Sequence, residues 1–227
     1  MDAVGYLARR LEPSRLADDD GLLPCGFSAI AQTTAARRHP PGDGMSNTTQ
    51  HRLPGDHTPA EEIARMLRVD HAGEFGATRI YEGQLDVLGR GREAAAIREM
   101  AETEKRHLAR FETLLREHRV RPTLLHPLWS AAGYALGAAT ALLGEQAAMA
   151  CTVAVEEVID EHYQRQAEQL GEEDPSLRET IRSFRDDEIA HRDLALAHGA
   201  EESAAYDLIT AAVKAGSRIA IWLSTRL

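Results

Sequence analysis

The sequence predicts an all-α protein built from a bundle of long helices. From Thr58 to the C-terminus, apolar residues recur at the three- and four-residue spacing of helices, and no stretch alternates convincingly with period two. Alanine is abundant, while aromatic residues make up only 5% of the chain, a composition that suits closely packed helices. These observations favour helices over strands in the ordered part of the chain.

Length, charge and cysteine content exclude several classes of protein. A chain of 227 residues forms about one domain. A net charge of −10 argues against a nucleic-acid partner, because phosphate binding requires clustered lysines and arginines. The two cysteines, Cys25 and Cys151, form no CxxC motif, so neither a disulfide framework nor a cysteine-ligated metal site is expected. Acidic residues among the N-terminal arginines argue against a targeting segment.

The chain divides into an N-terminal extension and one helical domain. Residues 1–57 lack a long apolar face and end in a run rich in Pro, Gly, Asn and Thr, which predicts a disordered extension. Because Met45 lies within this run, a misassigned start codon is an alternative account of residues 1–44. Residues 58–227 are predicted to form the functional domain.

The first helix has a clear N-terminal signal. Thr58 provides a capping hydroxyl, Pro59 occupies the first helical position, and Glu61 completes a capping box. Five more helical segments follow, separated by breaks rich in Gly and Pro. The six predicted helices cover residues 59–90, 92–119, 127–144, 146–170, 176–198 and 201–225.

Two of these segments have unusual surfaces. Residues 127–144 carry no formal charge but are only mildly apolar, which favours a buried or membrane-facing bundle helix over a transmembrane span. In the last segment Trp222 lies on an apolar face, and cationic residues are spread around the helix. That pattern fits either a helix in a lipid interface or a helix that closes the bundle.

Two Glu-x-x-His tetrapeptides are the strongest candidates for chemistry. Glu104 with His107, and Glu188 with His191, each project from one face of a helix and can reach a common metal ion. Of the 10 histidines, only these two have a glutamate three residues before them. Since 22 glutamates are present, chance alone gives about one such pair, and the tetrapeptides need further support.

A repeat in the sequence supplies that support. Carboxylate-bridged two-metal bundles use one glutamate from each of two helices and a Glu-x-x-His motif from each of the other two. The number of residues from Glu74 to Glu104 nearly equals the number from Glu156 to Glu188. Each half-site, one glutamate followed by one Glu-x-x-His motif, therefore repeats along the chain at the interval that separates Glu74 from Glu156. A duplicated antiparallel helix pair produces this repeat interval. We therefore predict a site for two iron ions formed by Glu74, Glu104, His107, Glu156, Glu188 and His191.

The ligand types match the charge of such a site. Two ferrous ions bring four positive charges, which four glutamates neutralise, while two neutral imidazoles leave coordination positions open for oxygen. Without metal, buried carboxylates repel one another and take up protons. We therefore expect the metal-free protein to be destabilised or locally open.

Five further residues lie within reach of the ligands and are candidates for supporting them, with plain packing or solvent exposure as the alternative. The repeat places Val153 where the first half-site has His71, so we expect His71 and Asp70 beside the site or on the helix surface. Glu157 points about 100 degrees away from Glu156, which argues against a ligand role. The five supporting candidates are Asp70, His71, Asp160, Tyr163 and Asp187.

Several segments resemble the demethoxyubiquinone hydroxylase family of ubiquinone biosynthesis. The resemblance covers about residues 60–227 and rests on LRVDHAGEFGATRIYEGQLDVLGR, RVRPTLLHPLW, GYALGAATALLGEQAAMACTVAVEEVIDEHY and FRDDEIAHRD. The family's iron ligands fall on the same six residues that the spacing predicts. By this resemblance Glu104 and Glu188 bridge the irons, and Glu74 and Glu156 are more terminal ligands.

The resemblance implies a ferritin-like bundle that hydroxylates the ring of a polyprenylated demethoxyubiquinol, the penultimate step of ubiquinone biosynthesis. It implies two irons that cycle between Fe2+ and Fe3+, O2 as co-substrate and NADH as the ultimate reductant. Because the substrate's tail lies in a bilayer, it implies peripheral attachment to the membrane surface and an apolar tunnel to the irons. The expected location is the cytoplasmic face of a bacterial inner membrane rather than the matrix face of a mitochondrial one, with other ubiquinone-biosynthesis proteins as partners.

Two other functions fit part of the pattern. A ferritin-like peroxidase or iron-handling protein would use the same ligands, but rubrerythrins normally add CxxC pairs and storage cages usually have polar exteriors. A non-enzymatic membrane-associated scaffold would have degenerate ligands, whereas all six are present here. Peroxide consumption, quinol hydroxylation and iron content separate these functions.

Overall fold

The computed structural model describes residues 55–227. The expected disordered extension over residues 1–57 and the alternative start at Met45 therefore lie almost wholly outside the described residues. The described part contains six α-helices and no strand, which confirms the all-α class. The helices are α1 (Pro59–Leu88), α2 (Arg92–Glu117), α3 (His126–Leu142), α4 (Glu145–Leu170), α5 (Pro175–Ala197) and α6 (Tyr206–Ser224), with a short 3₁₀ helix at Ala200–Glu202.

Helix α1 starts as the sequence predicts. The hydroxyl of Thr58 accepts a hydrogen bond from the backbone N–H of Glu61 at 3.2 Å, and the Glu61 carboxylate accepts one from the N–H of Thr58 at 2.7 Å. These bonds satisfy N–H groups that a helix start otherwise leaves unpaired. Asp174 caps α5 through a bond from the N–H of Leu177 at 2.9 Å. Each cap contributes about 1 kcal/mol and fixes the start of a helix that carries candidate ligands.

The first helix of each half of the chain ends in the same way. Gly89, which follows α1, has a φ of 65°, and Gly171, which follows α4, has a φ of 48°. Glycine adopts such left-handed values without strain. The two glycines are separated by the same interval of sequence as Glu74 and Glu156. The repeat seen in the sequence therefore extends to the ends of the helices.

Helix packing follows the same repeat. Helix α1 packs against α2 and α3, and α4 packs against α5 and α6. The α1–α2 and α4–α5 pairs form the four-helix bundle, while α3 and α6 are the additional helices and lie mainly on α1 and α4. Each half is thus a unit of three helices, two in the bundle and one against its surface.

The contact between α1 and α3 depends on glycine. A Cβ atom at Gly137 would overlap the carbonyl oxygen of Ile80, and one at Gly83 would overlap the carbonyl oxygen of Tyr134. The two backbones therefore approach more closely than any larger residue allows. This contact explains how an uncharged helix of small residues is buried on one face against the bundle.

A polar layer divides the apolar core. One cluster includes the fully buried Met100 and Met149, and the other includes the fully buried Leu67 and Phe111. Along α1, α2, α4 and α5, the six candidate ligands fall between residues of the two clusters. The candidate ligands therefore lie at mid-height of the bundle, with apolar packing above and below them.

The structure corrects the start of the last helix. The apolar pattern predicts a helix from residue 201, but residues 200–202 form the 3₁₀ turn and α6 begins at Tyr206. Ala200 is fully buried in the core, and Gly199 before it has a φ of 80°. The chain has to turn over the end of the bundle here before α6 can lie along α4.

Helices α3 and α6 present apolar side chains to their surroundings. Leu128 and Leu142 on α3, and Ile219 and Trp222 on α6, are more than half exposed. No helix within residues 55–227 combines the length and the hydropathy needed to cross a membrane. One face of the uncharged α3 segment packs against α1.

Candidate metal centre

Six buried side chains from four helices converge at mid-height of the bundle. None of the six is more than 7% exposed. They are the residues that the sequence repeat predicts, and the structure brings all of them together. Helix α1 provides Glu74, α2 provides Glu104 and His107, α4 provides Glu156, and α5 provides Glu188 and His191.

The six residues form two overlapping groups whose candidate donor atoms all lie within 4.8 Å of one another. Glu104 and Glu188 belong to both groups. The first group adds Glu74 and His107, and the second adds Glu156 and His191. This arrangement suits two metal ions that share two bridging carboxylates and have one histidine and one further glutamate each.

Each histidine directs its Nδ1 atom towards the carboxylates. His107 Nδ1 lies 3.2 Å from Oε1 of Glu188 and 3.6 Å from Oε2 of Glu74. His191 Nδ1 lies 2.9 Å from Oε1 of Glu104 and 3.5 Å from Oε2 of Glu188. None of these approaches has the geometry of a hydrogen bond. The Nδ1 atom of each ring is therefore the candidate ligand atom.

The donor atoms of the site have no hydrogen-bond partners in the described part of the chain. The unpaired atoms are both oxygens of Glu104 and of Glu188, one oxygen each of Glu74 and Glu156, and Nδ1 of both histidines. An unpaired buried polar atom costs about 1–3 kcal/mol, so a bound cation is the natural partner for this set. Carboxylates with imidazoles suit iron or manganese. The residues present therefore fit a pair of such ions.

Crowding of the carboxylates changes their pKa values. Burial and neighbouring glutamates hold the pKa of Glu104 and of Glu156 well above the usual range. Burial raises the pKa of Glu188 to about 7 in spite of its contact with His107. Burial lowers the pKa of His107, but contacts with Glu188 and Glu74 outweigh burial and raise it to about 10. Without metal the site therefore holds protons, which metal ions displace when they bind.

Two tyrosines hold the two unshared glutamates from the opposite half of the bundle. Tyr81 of α1 donates a hydrogen bond to Oε1 of Glu156 at 2.5 Å, and Tyr163 of α4 donates one to Oε1 of Glu74. Both tyrosines are buried. Each bond occupies one oxygen of a glutamate and leaves the second oxygen for a metal.

The repeat predicts both tyrosines, although only Tyr163 is among the residues we predicted from sequence. Tyr81 precedes Tyr163 by the repeat interval, the same separation that lies between Glu74 and Glu156. Each tyrosine also stands two helical turns after the glutamate of its own helix. Tyr81 can be predicted from the sequence when the repeat interval is applied to every candidate residue and not only to the ligands.

Asp187 supports one of the two histidines. Its carboxylate lies 3.0 Å from Nε2 of His107, an arrangement that orients the ring of a metal-binding histidine. Phe184 stacks on the same ring at a centroid distance of 3.8 Å. No residue of the described range makes a matching bond to Nε2 of His191, and the position equivalent to Asp187 is Thr103. The two half-sites differ at this point.

Asp70 and His71 are buried, so their expected alternative placement on the helix surface is wrong. Asp70 accepts a hydrogen bond from Gln166 at 2.7 Å and pairs with His162 at 3.0 Å, which joins α1 to α4. The ring of His71 lies 5.8 Å from that of His126 at the start of α3. Neither side chain belongs to the two donor groups, so both stabilise the packing around the site.

Asp160 and Glu157 form ion pairs with basic side chains and lie outside the two donor groups. Asp160 forms an ion pair with Arg185 at 2.5 Å, which joins α4 to α5. Glu157 pairs with Lys214, which joins α4 to α6. The expected direction of Glu157 is therefore confirmed, and Asp160 contributes to the helix contacts rather than to the ligands.

An apolar cavity of about 430 Å³ lies between α1, α3, α4 and α6. Small and aliphatic residues form almost all of its wall. Gly73 and Val155 are part of that wall, and they immediately precede Glu74 and Glu156 in the chain. The cavity therefore borders the helical turns that carry the two unshared glutamates.

The sequence of the described domain is similar to a known protein family and to several enzymes. The model of a family described as "Ubiquinone biosynthesis protein COQ7" matches residues 61–224. The chain is 53% identical over 181 residues to the 3-demethoxyubiquinol 3-hydroxylase of Rhodospirillum rubrum, covering 79% of this chain and 85% of the relative. It is 48% identical over 199 residues to the NADPH-dependent 3-demethoxyubiquinone 3-hydroxylase, mitochondrial, of Homo sapiens, covering 85% and 92%. It is 41% identical over 182 residues to the 5-demethoxyubiquinone hydroxylase, mitochondrial, of Saccharomyces cerevisiae, covering 73% and 78%.

Proposed function

The chain belongs to the COQ7 family of ubiquinone biosynthesis proteins, and from this premise we propose that it hydroxylates a demethoxyubiquinol at a two-iron centre. The observation that carries the proposal is the pair of donor groups that share Glu104 and Glu188. An apolar cavity borders the same turns of α1 and α4. A metal site next to an apolar cavity is what a hydroxylase of a lipid-tailed quinol requires.

Two iron ions held by the six residues would supply the redox chemistry that inserts one atom of O2 into the quinol ring. Glu104 and Glu188 are the proposed bridging ligands, because only these two belong to both donor groups. Glu74 and Glu156 are the proposed terminal ligands. Four carboxylates balance the charge of two ferrous ions, so the loaded site is neutral in a dry core.

Residues around the ligands set the geometry of the proposed site. Tyr81 and Tyr163 keep one oxygen of each terminal glutamate engaged and the other directed at a metal. Each phenol has to keep its proton to do so, and burial raises the pKa of both tyrosines well above the usual value. Asp187 holds the ring of His107 with Nδ1 facing the carboxylates.

The apolar cavity supports a lipid-tailed substrate. Its wall of small and aliphatic residues can cover an isoprenoid chain. Burying the apolar surface of that chain stabilises binding by about 25 cal/mol per Å². Peroxide, the substrate of the alternative ferritin-like peroxidase, has no apolar part to occupy this cavity. The cavity therefore favours quinol hydroxylation.

The proposed reductant is NADPH. The resemblance in sequence implies NADH, but the relatives from Homo sapiens and Dictyostelium discoideum are named as NADPH-dependent. The proposed location is the surface of a membrane, supported by the exposed apolar side chains of α3 and α6. Relatives include a bacterial protein and mitochondrial ones, and we propose the cytoplasmic face of a bacterial inner membrane for this chain.

Expression in cells that accumulate demethoxyubiquinone tests the reaction. We expect the chain to convert this quinone to later intermediates and ubiquinone, followed by mass spectrometry of extracted quinones. Glu188→Ala or His107→Ala should abolish conversion and iron binding while most helicity remains. Glu157→Ala is the matched control, because Glu157 is a neighbouring glutamate that pairs with Lys214. Conversion at the wild-type rate by either ligand variant would show that the assignment of ligands is wrong.

A further inference from the structure

A basic pocket lies where α1 begins and α6 ends. It has a volume of about 430 Å³. Three arginines, Arg65, Arg68 and Arg226, line it together with His57 and Glu61. The whole chain has a net charge of −10, so this pocket is a local reversal of sign and favours an anionic ligand.

Backbone carbonyl groups and aromatic rings hold the three arginines in place. Arg68 donates to the carbonyl oxygen of Arg121 at 3.2 Å, and Arg65 contacts the ring of His57. Arg226 donates to the carbonyl oxygen of Trp222 at 2.8 Å, and its guanidinium group lies 4.0 Å from the centre of the Trp222 ring.

The arginines of the pocket keep their charge available. Several arginines elsewhere pair with carboxylates, as Arg185 does with Asp160, but no ion pair with a carboxylate is seen for these three in the part of the chain that the structure describes. The Nε atom of Arg65 is buried and has no partner there. Glu61 is the one carboxylate of the wall, and it binds Thr58 at the start of α1.

Exposed apolar side chains lie close in sequence to residues that line or contact this pocket. Trp222 and Leu227, on either side of Arg226 in the chain, are more than half exposed, and Leu124 is 83% exposed. Leu124 follows Arg121, whose carbonyl oxygen binds Arg68. A cationic pocket near exposed tryptophan and leucine side chains is typical of a surface that contacts lipid headgroups and the first part of the acyl chains.

We propose that the basic pocket binds the phosphate of an anionic phospholipid and thereby orients the protein on the membrane. Guanidinium groups bind phosphate oxygens through paired N–H donors. A free dinucleotide would also satisfy the arginines but would leave Trp222, Leu124 and Leu227 in water, whereas a lipid in a bilayer covers them. The proposal rests on the proposed function, since a membrane-embedded quinol is the reason for the protein to bind a bilayer.

The pocket also adjoins the cavity proposed for the substrate tail. Val69 and Ser224 line that cavity, and their chain neighbours Arg68 and Thr225 line the basic pocket. A headgroup held in the pocket would therefore place one end of the apolar cavity at the bilayer, where a quinol tail can enter.

Binding of the iron-loaded full chain to vesicles tests the proposal. The vesicles contain phosphatidylcholine alone or with about 30% phosphatidylglycerol, a composition that adds negative surface charge. We expect Arg65→Gln, Arg68→Gln and Arg226→Gln each to weaken binding to the anionic vesicles about fivefold, and the triple variant about a hundredfold. Weak binding to pure phosphatidylcholine should not change, because the exposed leucines and Trp222 remain.

A second triple variant controls for net charge. It replaces three exposed arginines away from the pocket, Arg90, Arg92 and Arg165, with glutamine and should bind anionic vesicles within about twofold of the wild type. Equal losses in the two triple variants, or no loss in either, would overturn the proposal. So would a pocket variant that loses affinity for NADPH, measured by nicotinamide fluorescence, while its vesicle binding is unchanged. Iron content and thermal unfolding report the state of the fold, and quinone conversion tests the proposed function separately.

Discussion

At the scale of single residues, the site depends on which oxygen of each glutamate is already engaged. Tyr81 occupies one oxygen of Glu156, and Tyr163 occupies one oxygen of Glu74. The remaining oxygens have no partner among the described residues. The tyrosines therefore act as positioning residues: they fix the glutamates before any metal arrives.

Removing one phenol tests this role. Tyr81→Phe keeps the packing of the ring but removes the hydrogen bond to Oε1 of Glu156, so the carboxylate loses its fixed orientation. We expect iron affinity, measured by competition with a chromogenic chelator, to fall about 10–100-fold, as for other residues that orient metal ligands. Tyr163→Phe should have a similar effect through Glu74, because the two bonds are reciprocal.

Tyr206→Phe is the control for the tyrosine variants. Tyr206 is half-buried at the start of α6, and its hydroxyl makes no bond to a candidate ligand among the bonds of the described residues. It should bind iron like the wild type. Wild-type iron affinity in both Tyr81→Phe and Tyr163→Phe would show that the tyrosines only fill space.

Residue spacing predicts part of this site and misses part of it for a physical reason. The ligands repeat along the chain, and helical geometry alone places them on inward faces. Asp70 shows the limit: its partners His162 and Gln166 lie on α4, in the other half of the chain. Whether a carboxylate meets such partners or solvent depends on how two helices rotate against each other, which local spacing does not determine.

At the scale of helices, the contact of α3 with α1 shows a second limit of sequence. The segment 127–144 has no charge, and this composition alone fits burial, a lipid-facing helix or a short span. The structure shows that one face of α3 packs on the backbone of α1, because Gly137 faces the carbonyl oxygen of Ile80 and Gly83 faces that of Tyr134. Glycines on two separate segments have to be matched for this contact, and one segment alone does not show its partner.

Gly137→Ala tests the importance of the contact. The added methyl group would overlap the backbone oxygen of Ile80, and backbone cannot rotate away as a side chain can. We expect the free energy of unfolding, measured with urea, to decrease by about 1–3 kcal/mol.

Gly216→Ala on α6 is the matched control for this helix contact. A Cβ atom at Gly216 meets nothing within 4 Å, so the gain in helix propensity should increase stability by about 0.5–1 kcal/mol. Equal stabilisation by both alanines would mean that α3 and α1 can separate without cost.

At the scale of the whole described domain, two three-helix units enclose one polar layer. The repeat explains why the unshared glutamates, the tyrosines and the wall residues Gly73 and Val155 occur in pairs with one common separation along the chain. It also shows where the halves have diverged, since Asp187 supports His107 and Thr103 replaces it beside the other motif. The two metal positions are therefore similar in ligands but differ in their surroundings.

Concentrating four carboxylates in the core should make the stability of the metal-free protein depend on pH. Glu188 has a pKa of about 7 and His107 one of about 10, both above their ordinary values, and the pKa of Glu104 is also raised. A group with a raised pKa in the fold keeps a proton that the unfolded chain has lost, so folding is favoured less as pH rises through that pKa. The lowered pKa of His191 has the opposite effect, because it makes folding more favourable as pH rises. Above about pH 6.5 this contribution to stability no longer changes.

We therefore expect the melting temperature of the metal-free protein to fall between about pH 6.5 and 8.5. Iron loading should raise it most at the upper end, because metal replaces the protons and binds the charged carboxylates more tightly there. Glu104→Gln with Glu188→Gln is the control: neutral amides remove two of the titrating groups and one of the carboxylates that raise the pKa of His107, so the metal-free double variant should show a smaller decrease. A melting temperature of the metal-free wild type that is constant or rises over this interval would contradict the proton-holding site, and with it the reason that metal ions stabilise the bundle.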